Sequence, residues 1–391
     1  MTLTPTSETE LADAIHAANA ARTLLAIEGG GTRAGLGRPA QSDQTLSLAK
    51  LSGITLYEPA ELVIAAHAGT PLAEIEETLA SRGQILAFEP GDARGLYGST
   101  GAPTIGAVAS CNISGPRRIS HGAARDSFIG VRLVNGAGEI VKNGGRVMKN
   151  VTGLDLVKLS CGAHGTLGVM SEVTFKLLPR PETEATIVIT GLADAAAIEM
   201  LSRGLGSPFE VSGAAHLPAG IGGSEARTLL RIENFAPSVT YRTQSLQTLL
   251  GAGDIVDTDA SRAFWRDVAA CAPFAHPDAR ALWRISTAPT RGPALAAQIS
   301  RACDTRYFYD WGGGLIWLAT PDEGDACAKL IRAATAAFGG HATLVRASVE
   351  TRAAVDVFEP LAAPTMTLTK GIKAAFDPRG ILNPGRMYAG V

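Results

Sequence analysis

The chain has 391 residues, 46% of them hydrophobic and 18% charged, and its formal net charge is −2. This length predicts two or three domains with buried cores, and the near-neutral charge argues against nucleic acid or an anionic membrane as a partner. No apolar run is long enough to span a bilayer, and the N-terminus lacks the features of a secretory signal, so we expect a cytoplasmic protein without direct membrane insertion.

The first residues predict a helix, a short strand and a glycine-rich loop. Ser7 and Glu10 form a capping box, after which apolar residues recur at helical spacing. An apolar run at 24–27 predicts a strand that leads directly into three glycines at 29–31. Bare backbone amides in such a loop can bind a phosphate, although a glycine-rich surface turn is the alternative interpretation.

Two common phosphate-binding patterns do not explain this loop. The P-loop pattern requires a lysine after its last glycine, where this chain has Leu36. Gly29, Gly31 and Ala34 have the spacing of the relaxed dinucleotide pattern, but further glycines and Pro39 follow in place of a helix. A Rossmann site is therefore disfavoured.

Closely spaced elements continue to about residue 181. A helix is predicted to end at Gly83, and strands are predicted at 45–48, 54–57, 62–67, 85–88 and 168–178. The segment 91–115 is too rich in glycine for an ordinary helix, so we expect it to pack tightly against a flat or charged surface. Asn135 and Gly136 predict a hairpin between strands at 128–134 and 139–141. The prolines at 179–181 mark a domain boundary.

The second region alternates between strands and helices. Strands are predicted at 228–233, 254–258, 281–286, 307–309, 315–319 and 343–347, and helices at 238–250, 260–270, 293–302 and 325–337. This alternation predicts a split βαβ sandwich and leaves its duplication open. A helix at 365–376 and a tail rich in proline and glycine end the chain.

Four segments in this order resemble the flavoproteins of the vanillyl-alcohol oxidase type, at residues 28–37, 103–140, 150–181 and 382–388. Within that superfamily the chain is most similar to the FAD-binding E subunits of bacterial glycolate oxidases, through the strings GPRR, GGRVMKNVTGLDL, LWRIS, DWGGGLIWL, GGHAT and NPGRMY. The resemblance implies an α+β fold with a bipartite PCMH-type FAD-binding domain at 1–180. It also implies a ferredoxin-like α/β cap domain at 181–360, followed by a C-terminal segment at 361–391 that packs back on the FAD domain.

The resemblance also implies which residues hold FAD. Backbone amides of Gly29, Gly30 and Gly31, with the Thr32 hydroxyl, would face the diphosphate. Covalently flavinylated members carry histidine where Thr32 stands, so non-covalent FAD is expected. The other matching positions are Thr104, Ile105, Gly106, Asn112, Gly115, Asp126, Gly165, Thr166, Gly168 and Val169. Where the family has serine and glutamate, this chain has Ala163 and His164, which puts side-chain contacts there in doubt.

The catalytic residues are not identified by sequence. FAD can accept a hydride from a 2-hydroxy acid if the protein holds the carboxylate and provides for the hydroxyl proton. Related dehydrogenases carry a metal-binding HxxGDGNxH motif, which is absent here, so no metal is expected. Four residues, each explained equally well by packing or a surface position, are candidates: Arg284, Trp311, His341 and Arg346.

Two functions stay open. In the first, the chain oxidises glycolate, or a related 2-hydroxy acid, on its own FAD and passes electrons to an iron–sulfur partner subunit. Alternatively it is a flavin-bearing structural or relay subunit, and a paralogous FAD subunit performs the substrate chemistry. Membrane association would occur only through such partners. The five scattered cysteines include no C-x-x-C pair, so we expect reduced, mostly buried thiols and no iron–sulfur cluster in this chain.

Overall fold

The computed structural model describes residues 2–145 and 153–391. Residues 146–152, which belong to the string GGRVMKNVTGLDL and to the start of segment 150–181, lie outside the described residues. In the N-terminal region the strands are β1 (Thr2–Leu3), β2 (Leu25–Glu28), β3 (Gln44–Ser47), β4 (Ile54–Glu58), β5 (Val63–His67), β6 (Gln84–Ile85), β7 (Phe128–Val134), β8 (Ile140–Gly144), β9 (Val169–Lys176) and β10 (Leu178–Pro179). The helices are α1 (Glu8–Ala21), α2 (Leu72–Ala80), α3 (Arg94–Tyr97), α4 (Ile105–Cys111), α5 (Arg118–His121), α6 (Ala124–Ser127) and α7 (Leu156–Ser160).

The N-terminal region is built on two main sheets around one core, and β6 and β10 form a separate two-stranded antiparallel sheet. An antiparallel sheet has the order β4-β5-β9-β7-β8, and a parallel sheet has the order β1-β3-β2. Ser7 caps helix α1, since its hydroxyl accepts a hydrogen bond from the Glu10 amide (3.2 Å), as predicted. The reciprocal bond differs from a capping box, because the Glu10 carboxylate accepts from the Thr6 amide (2.7 Å). The predicted hairpin is also present, since Val134 pairs with Ile140 across the turn.

Segment 91–115 corrects one expectation, because it contains the helices α3 and α4. Thr104 caps α4 by accepting a hydrogen bond from the Ala107 amide (3.4 Å), and apolar residues of α4 are buried. Helical packing against the core thus overrides the low helix propensity of glycine. The expected close packing is present, since a side chain at Gly106 would place its Cβ atom 2.6 Å from Ala68.

The second region, which we call the cap, begins after Pro181. Its strands are β11 (Thr183–Thr190), β12 (Gly213–Leu217), β13 (Arg227–Asn234), β14 (Asp254–Val256), β15 (Ala281–Thr287), β16 (Arg306–Asp310), β17 (Leu315–Thr320) and β18 (Gly340–Arg346). Its helices are α8 (Asp194–Leu205), α9 (Ala236–Leu250), α10 (Thr258–Ala269), α11 (Gly292–Ser300) and α12 (Ala328–Phe338), and α13 (Val349–Ala354) and α14 (Ala363–Phe376) follow.

The cap contains the split βαβ pattern twice. One antiparallel sheet has the order β14-β11-β13-β12-β16-β17-β15-β18. Its first four strands, with α8 and α9, form one βαββαβ unit, and the last four, with α11 and α12, form a second. The two units join where His216 of β12 pairs with Tyr309 of β16. The α+β class is therefore confirmed, with a duplicated ferredoxin-like arrangement in the cap.

The C-terminal tail returns to the N-terminal core. Leu382 is fully buried and pairs in parallel with Leu25 of β2. The Lys373 ammonium group of α14 donates to the carbonyl oxygens of Thr166 (2.7 Å) and Leu382 (2.9 Å) and to the Asp377 carboxylate (2.7 Å). Since Lys373 and Asp377 are both buried, this ion pair ties the end of α14 to the core.

A buried ionic network joins the cap to the N-terminal region. Arg231 of β13 donates to both carboxylate oxygens of Glu89 (2.8 and 2.9 Å), and its Nε atom lies 3.3 Å from Glu233. Arg117 pairs with the same Glu233 from the N-terminal side. The four side chains therefore cross the junction as alternating charges.

The expectation of five reduced cysteines is wrong for two of them. Cys303 and Cys327 form a disulfide, whereas Cys111, Cys161 and Cys271 are free. The partners are 24 residues apart in sequence, and the fold of the second cap unit brings them together. In the part of the chain that the structure describes, no helix has both the length and the apolar character needed to cross a bilayer.

Candidate functional site

A cleft in the N-terminal region lies where the loop after β2, helix α4 and the C-terminal tail meet, and we call it the glycine-loop cleft. Nine of the predicted cofactor residues line it: Gly29, Gly30, Gly31, Thr32, Thr104, Gly106, Gly165, Gly168 and Val169. They come from three separate stretches of sequence. The fold therefore gathers most of the predicted set on one surface.

The glycines of the loop have different structural roles. Gly31 has φ +71°, and a Cβ atom there would have no neighbour closer than 4.0 Å. Gly30 packs so closely on the neighbouring chain that its Cβ atom would lie 1.8 Å from the carbonyl oxygen of Ala102. The amides of Gly30, Gly31 and Thr32 donate to no acceptor among the described residues. Unpaired amides in a tight turn are a suitable binding surface for phosphate oxygens.

The cleft has an excess of positive charge. Four arginines line it: Arg33, Arg38, Arg352 and Arg386. Glu28 is the single carboxylate among its described lining residues. The arginines form no ion pair within residues 2–145 and 153–391, and three of them donate to backbone carbonyls, such as Arg352 to that of Gly37 (3.0 Å). This charge complements a diphosphate group.

His164 adds an unpaired polar atom to the wall of the cleft. Its Nδ1 atom is buried and has no hydrogen-bond partner in the described structure. Burial, reinforced by Arg386 and Arg33, lowers the pKa of His164 to about 3, so the imidazole is neutral at pH 7. Asn383 holds the segment around His164 in place, since its side-chain amide group donates to the His164 carbonyl oxygen (2.8 Å).

These features fit FAD. Backbone amides without acceptors, and arginines that form no ion pair among the described residues, suit its diphosphate. The close backbone packing at Gly30 and Gly106 leaves no room for side chains in this wall.

The other five predicted cofactor residues do not line the cleft. Ile105 is 1% exposed within the core, and the Thr166 hydroxyl donates to a backbone carbonyl (2.8 Å). The Asn112 side chain accepts from a backbone amide of α6 (3.0 Å), and the Asp126 carboxylate accepts from the amide before that helix (2.8 Å). The Gly115 carbonyl accepts a hydrogen bond from the cap.

The structure brings three of the four catalytic candidates together. Trp311 follows β16, and its indole N–H donates to the carbonyl oxygen of Gly115 across the junction (3.1 Å). The Arg284 guanidinium lies 4.9 Å from the centroid of the Trp311 ring. His341 of β18 pairs with Ser286, two residues after Arg284 on β15, so His341 and Arg284 lie near each other on one face of the sheet. Burial, with a further contribution from Arg284, lowers the pKa of His341. Arg346 lies apart and donates to the Leu96 carbonyl oxygen (3.0 Å).

Several residues of these sites carried no role in the sequence analysis. Arg33, Asn383 and Arg386 belong to the strings at 28–37 and 382–388 that support the resemblance, so those strings could have indicated them. Arg352 lies far from the glycine loop in sequence and belongs to neither string. Arg118 belongs to the string GPRR, and its guanidinium lies 4.7 Å from the Trp311 ring centroid. In the described ranges no three side chains of His, Cys, Asp or Glu are grouped so as to hold a metal ion.

Comparison with known proteins identifies relatives of this chain. A family model described as an FAD binding domain matches residues 1–144. The glycolate oxidase subunit GlcE of Escherichia coli K12 is 34% identical over 381 residues, which cover 97% of each chain. The glycolate oxidase subunit GlcD of Bacillus subtilis 168 is 27% identical over 330 residues, which cover 73% of this chain and 68% of GlcD.

Solved structures share the fold at low sequence identity. A crystal structure of p-cresol methylhydroxylase with substrate bound has a TM-score of 0.76 at 14% identity, covering 98% of this chain and 88% of that chain. Alkyldihydroxyacetonephosphate synthase has a TM-score of 0.70 at 15% identity, covering 98% of this chain and 75% of that chain. These likenesses establish the architecture of both regions and carry no argument about substrate.

Proposed function

Because the chain belongs to the family of glycolate oxidase GlcE subunits and binds FAD, we propose that it is the FAD-binding subunit of a complex that oxidises glycolate to glyoxylate. It is an FAD-dependent oxidoreductase, as its relatives are. The observation that carries the proposal is the glycine-loop cleft, which is lined both by four arginines and by residues whose backbone amides have no acceptor in the described structure. The division into domains at 1–180, 181–360 and 361–391 is part of the proposal.

The residues of the cleft would hold FAD in distinct ways. The amides of Gly30, Gly31 and Thr32 would donate to the diphosphate, and Arg33 and Arg386 would neutralise its charge. Charge-assisted hydrogen bonds of this kind contribute about 1.5–3 kcal/mol each. Bound FAD supplies the two-electron acceptor that oxidation of a carbinol carbon requires.

Partner subunits complete the proposal. The GlcD relative is named as another glycolate oxidase subunit, so a paralogous FAD subunit is an expected partner. This chain contains no C-x-x-C pair with which it could hold an iron–sulfur cluster of its own. A separate iron–sulfur subunit would therefore receive the electrons. Any association with a membrane would occur through these partners.

A relay role is the second candidate, and a sequence feature favours it. The chain lacks the HxxGDGNxH string with which related dehydrogenases bind a metal beside the substrate. In this case the chain carries flavin and electrons, and the paralogous subunit oxidises glycolate. We expect the isolated chain to be nearly inactive and to gain activity in the complex.

Anaerobic flavin bleaching separates the two candidates. Glycolate is added without air to the FAD-loaded chain alone and then to the reconstituted complex, and the flavin absorbance is followed. Acetate, which has the carboxylate but no hydroxyl group, is the control. Bleaching of the chain alone supports direct oxidation, and bleaching that requires the partners supports the relay role. Absence of bleaching in a complex with full flavin content would refute the glycolate oxidase proposal.

A further inference from the structure

Two arginines from different regions converge on one indole ring at the junction between the N-terminal region and the cap. Arg118 belongs to α5, and its guanidinium carbon lies 4.7 Å from the Trp311 ring centroid. Arg284 belongs to β15 of the cap, and its guanidinium carbon lies 4.9 Å from the same centroid. Both guanidinium groups therefore lie over the same ring, and the Trp311–Gly115 hydrogen bond holds that ring in place.

Neither guanidinium has a counter-ion in the part of the chain that the structure describes. Within the described ranges, neither Arg118 nor Arg284 forms an ion pair or donates a side-chain hydrogen bond, whereas Arg231 at the same junction pairs with two carboxylates. Both arginines are partly buried, and their guanidinium nitrogens keep some exposure to solvent. Partly buried cations without partners are unfavourable unless an anion compensates them.

The neighbouring acids do not supply that anion. Asp310 is buried, its carboxylate accepts a hydrogen bond from the Trp311 amide (2.7 Å), and burial raises its pKa to about 7. Asp126 lies near Arg118 without forming an ion pair, and its carboxylate accepts from the Ala123 amide (2.8 Å). Burial, with the repulsion from Arg118, lowers the pKa of Arg284 to about 10, so the group is still charged at pH 7.

We propose that Arg118 and Arg284 form a binding site for the carboxylate group of a small organic acid. The planar guanidinium fork matches the two oxygens of a carboxylate. The choice of glycolate as ligand rests on the proposed function. Helix α4, whose residues Gly106 and Cys111 line the glycine-loop cleft, is followed by the segment that carries Arg118. Arg118 is therefore close along the chain to residues of the cofactor cleft.

Tryptophan fluorescence of the FAD-loaded chain tests the site. Glycolate is titrated at constant ionic strength, and the Trp311→Phe variant identifies the contribution of Trp311 to the signal. We expect saturable binding that weakens at least tenfold in both Arg118→Gln and Arg284→Gln. Arg306→Gln is the matched control, because Arg306 also lies over an aromatic ring of the cap, at 5.9 Å from Phe274, and should change affinity less than twofold.

Each remaining outcome has a defined meaning. Affinity within twofold of the unmodified chain in both variants, or an equal response to chloride, overturns the carboxylate site. If Arg284→Gln does not fold, as judged by FAD content and melting, Arg284→Lys replaces it. Lysine keeps the charge but loses the planar fork, so at least threefold weaker binding supports the site and unchanged binding overturns it.

The outcome is separable from that of the proposed function. Arginine-dependent glycolate binding by the chain, with no glycolate oxidation by the complex, would leave the site standing and remove the proposed function. Glycolate oxidation with unchanged KM in complexes that contain Arg118→Gln or Arg284→Gln would support the proposed function and overturn the carboxylate site.

Discussion

Replacing Arg231 by methionine should destabilise the cap more than any loss of a surface ion pair. Methionine keeps most of the aliphatic volume but removes the charge between Glu89 and Glu233. Arg231 is 1% exposed and also packs over Trp265, with its guanidinium 4.7 Å from the ring centroid. The variant therefore leaves Glu89 and the buried Glu233 without their shared arginine.

The contacts that remain set the size of the effect. Removing one partner of a buried ion pair costs about 3–5 kcal/mol. Glu233 keeps its pairing with Arg117, and the Glu89 side chain is 21% exposed and still accepts from the Arg117 amide (3.1 Å). We therefore expect a loss of about 3 kcal/mol at pH 7, at the lower end of that range.

The effect should also depend on pH. Burial alone would raise the pKa of Glu233, but Arg231 and Arg117 lower it from 4.5 to about 2. A depressed carboxyl pKa stabilises the fold above pH 4.5, and this stabilisation is lost as the pH falls toward 2. The difference between the unmodified chain and Arg231→Met should therefore be largest near neutrality and should narrow below pH 4.5.

Urea unfolding followed by tryptophan fluorescence measures this effect selectively. All four tryptophans of the chain, at positions 265, 283, 311 and 317, lie in the cap. Arg280→Met is the control, because it breaks a pair with Asp304, whose side chain is 69% exposed, and should cost less than about 1 kcal/mol. If Arg231→Met costs no more than Arg280→Met, the network does not stabilise the junction and the reasoning fails.

Three further predictions concern the cofactor and the tail. Acid or heat should release the flavin, because threonine stands at position 32, and flavin that stays with the denatured chain would contradict this. Gly30→Val should lower FAD content while the tryptophan-detected transition is unchanged, because its Cβ atom would lie 1.8 Å from a carbonyl oxygen; full FAD content would count against the loop. Lys373→Met should lower the free energy of opening of β2, measured by hydrogen exchange, by about 3 kcal/mol, because it leaves the buried Asp377 without its ion-pair partner. The exposed Lys370 on the same helix provides the control, and an equal effect of Lys370→Met would contradict the role of the ion pair.

Local sequence signals predicted most of the elements and the cofactor. The Ser7 helix cap, the hairpin at Asn135 and Gly136 and the alternating pattern of the cap all depend on residues within a few positions of one another. The glycine loop belongs to the same class, because a strand that leads into three glycines is a local feature. The predicted FAD and α+β fold are confirmed on this basis, together with the resemblance.

Segment 91–115 and the cysteines show where local signals fail. Glycine content argued against a helix, but burial of the apolar face of α4 outweighs a propensity cost of roughly 1 kcal/mol per glycine. Cys303 and Cys327 are scattered in sequence and become neighbours through the packing of the second cap unit. Neither outcome can be obtained from spacing along the chain.

The sequence by itself determined the order of the elements, the FAD class of the cofactor and the family, since each depends on short motifs in a set order. Only the tertiary structure decided which charges meet. It brought Arg386 and Asn383 of the tail to the glycine loop, and it placed Arg118 and Arg284 on the same indole ring. Electrostatic interactions depend on distance in space and on the exclusion of water, and both are set by long-range packing that no local pattern encodes.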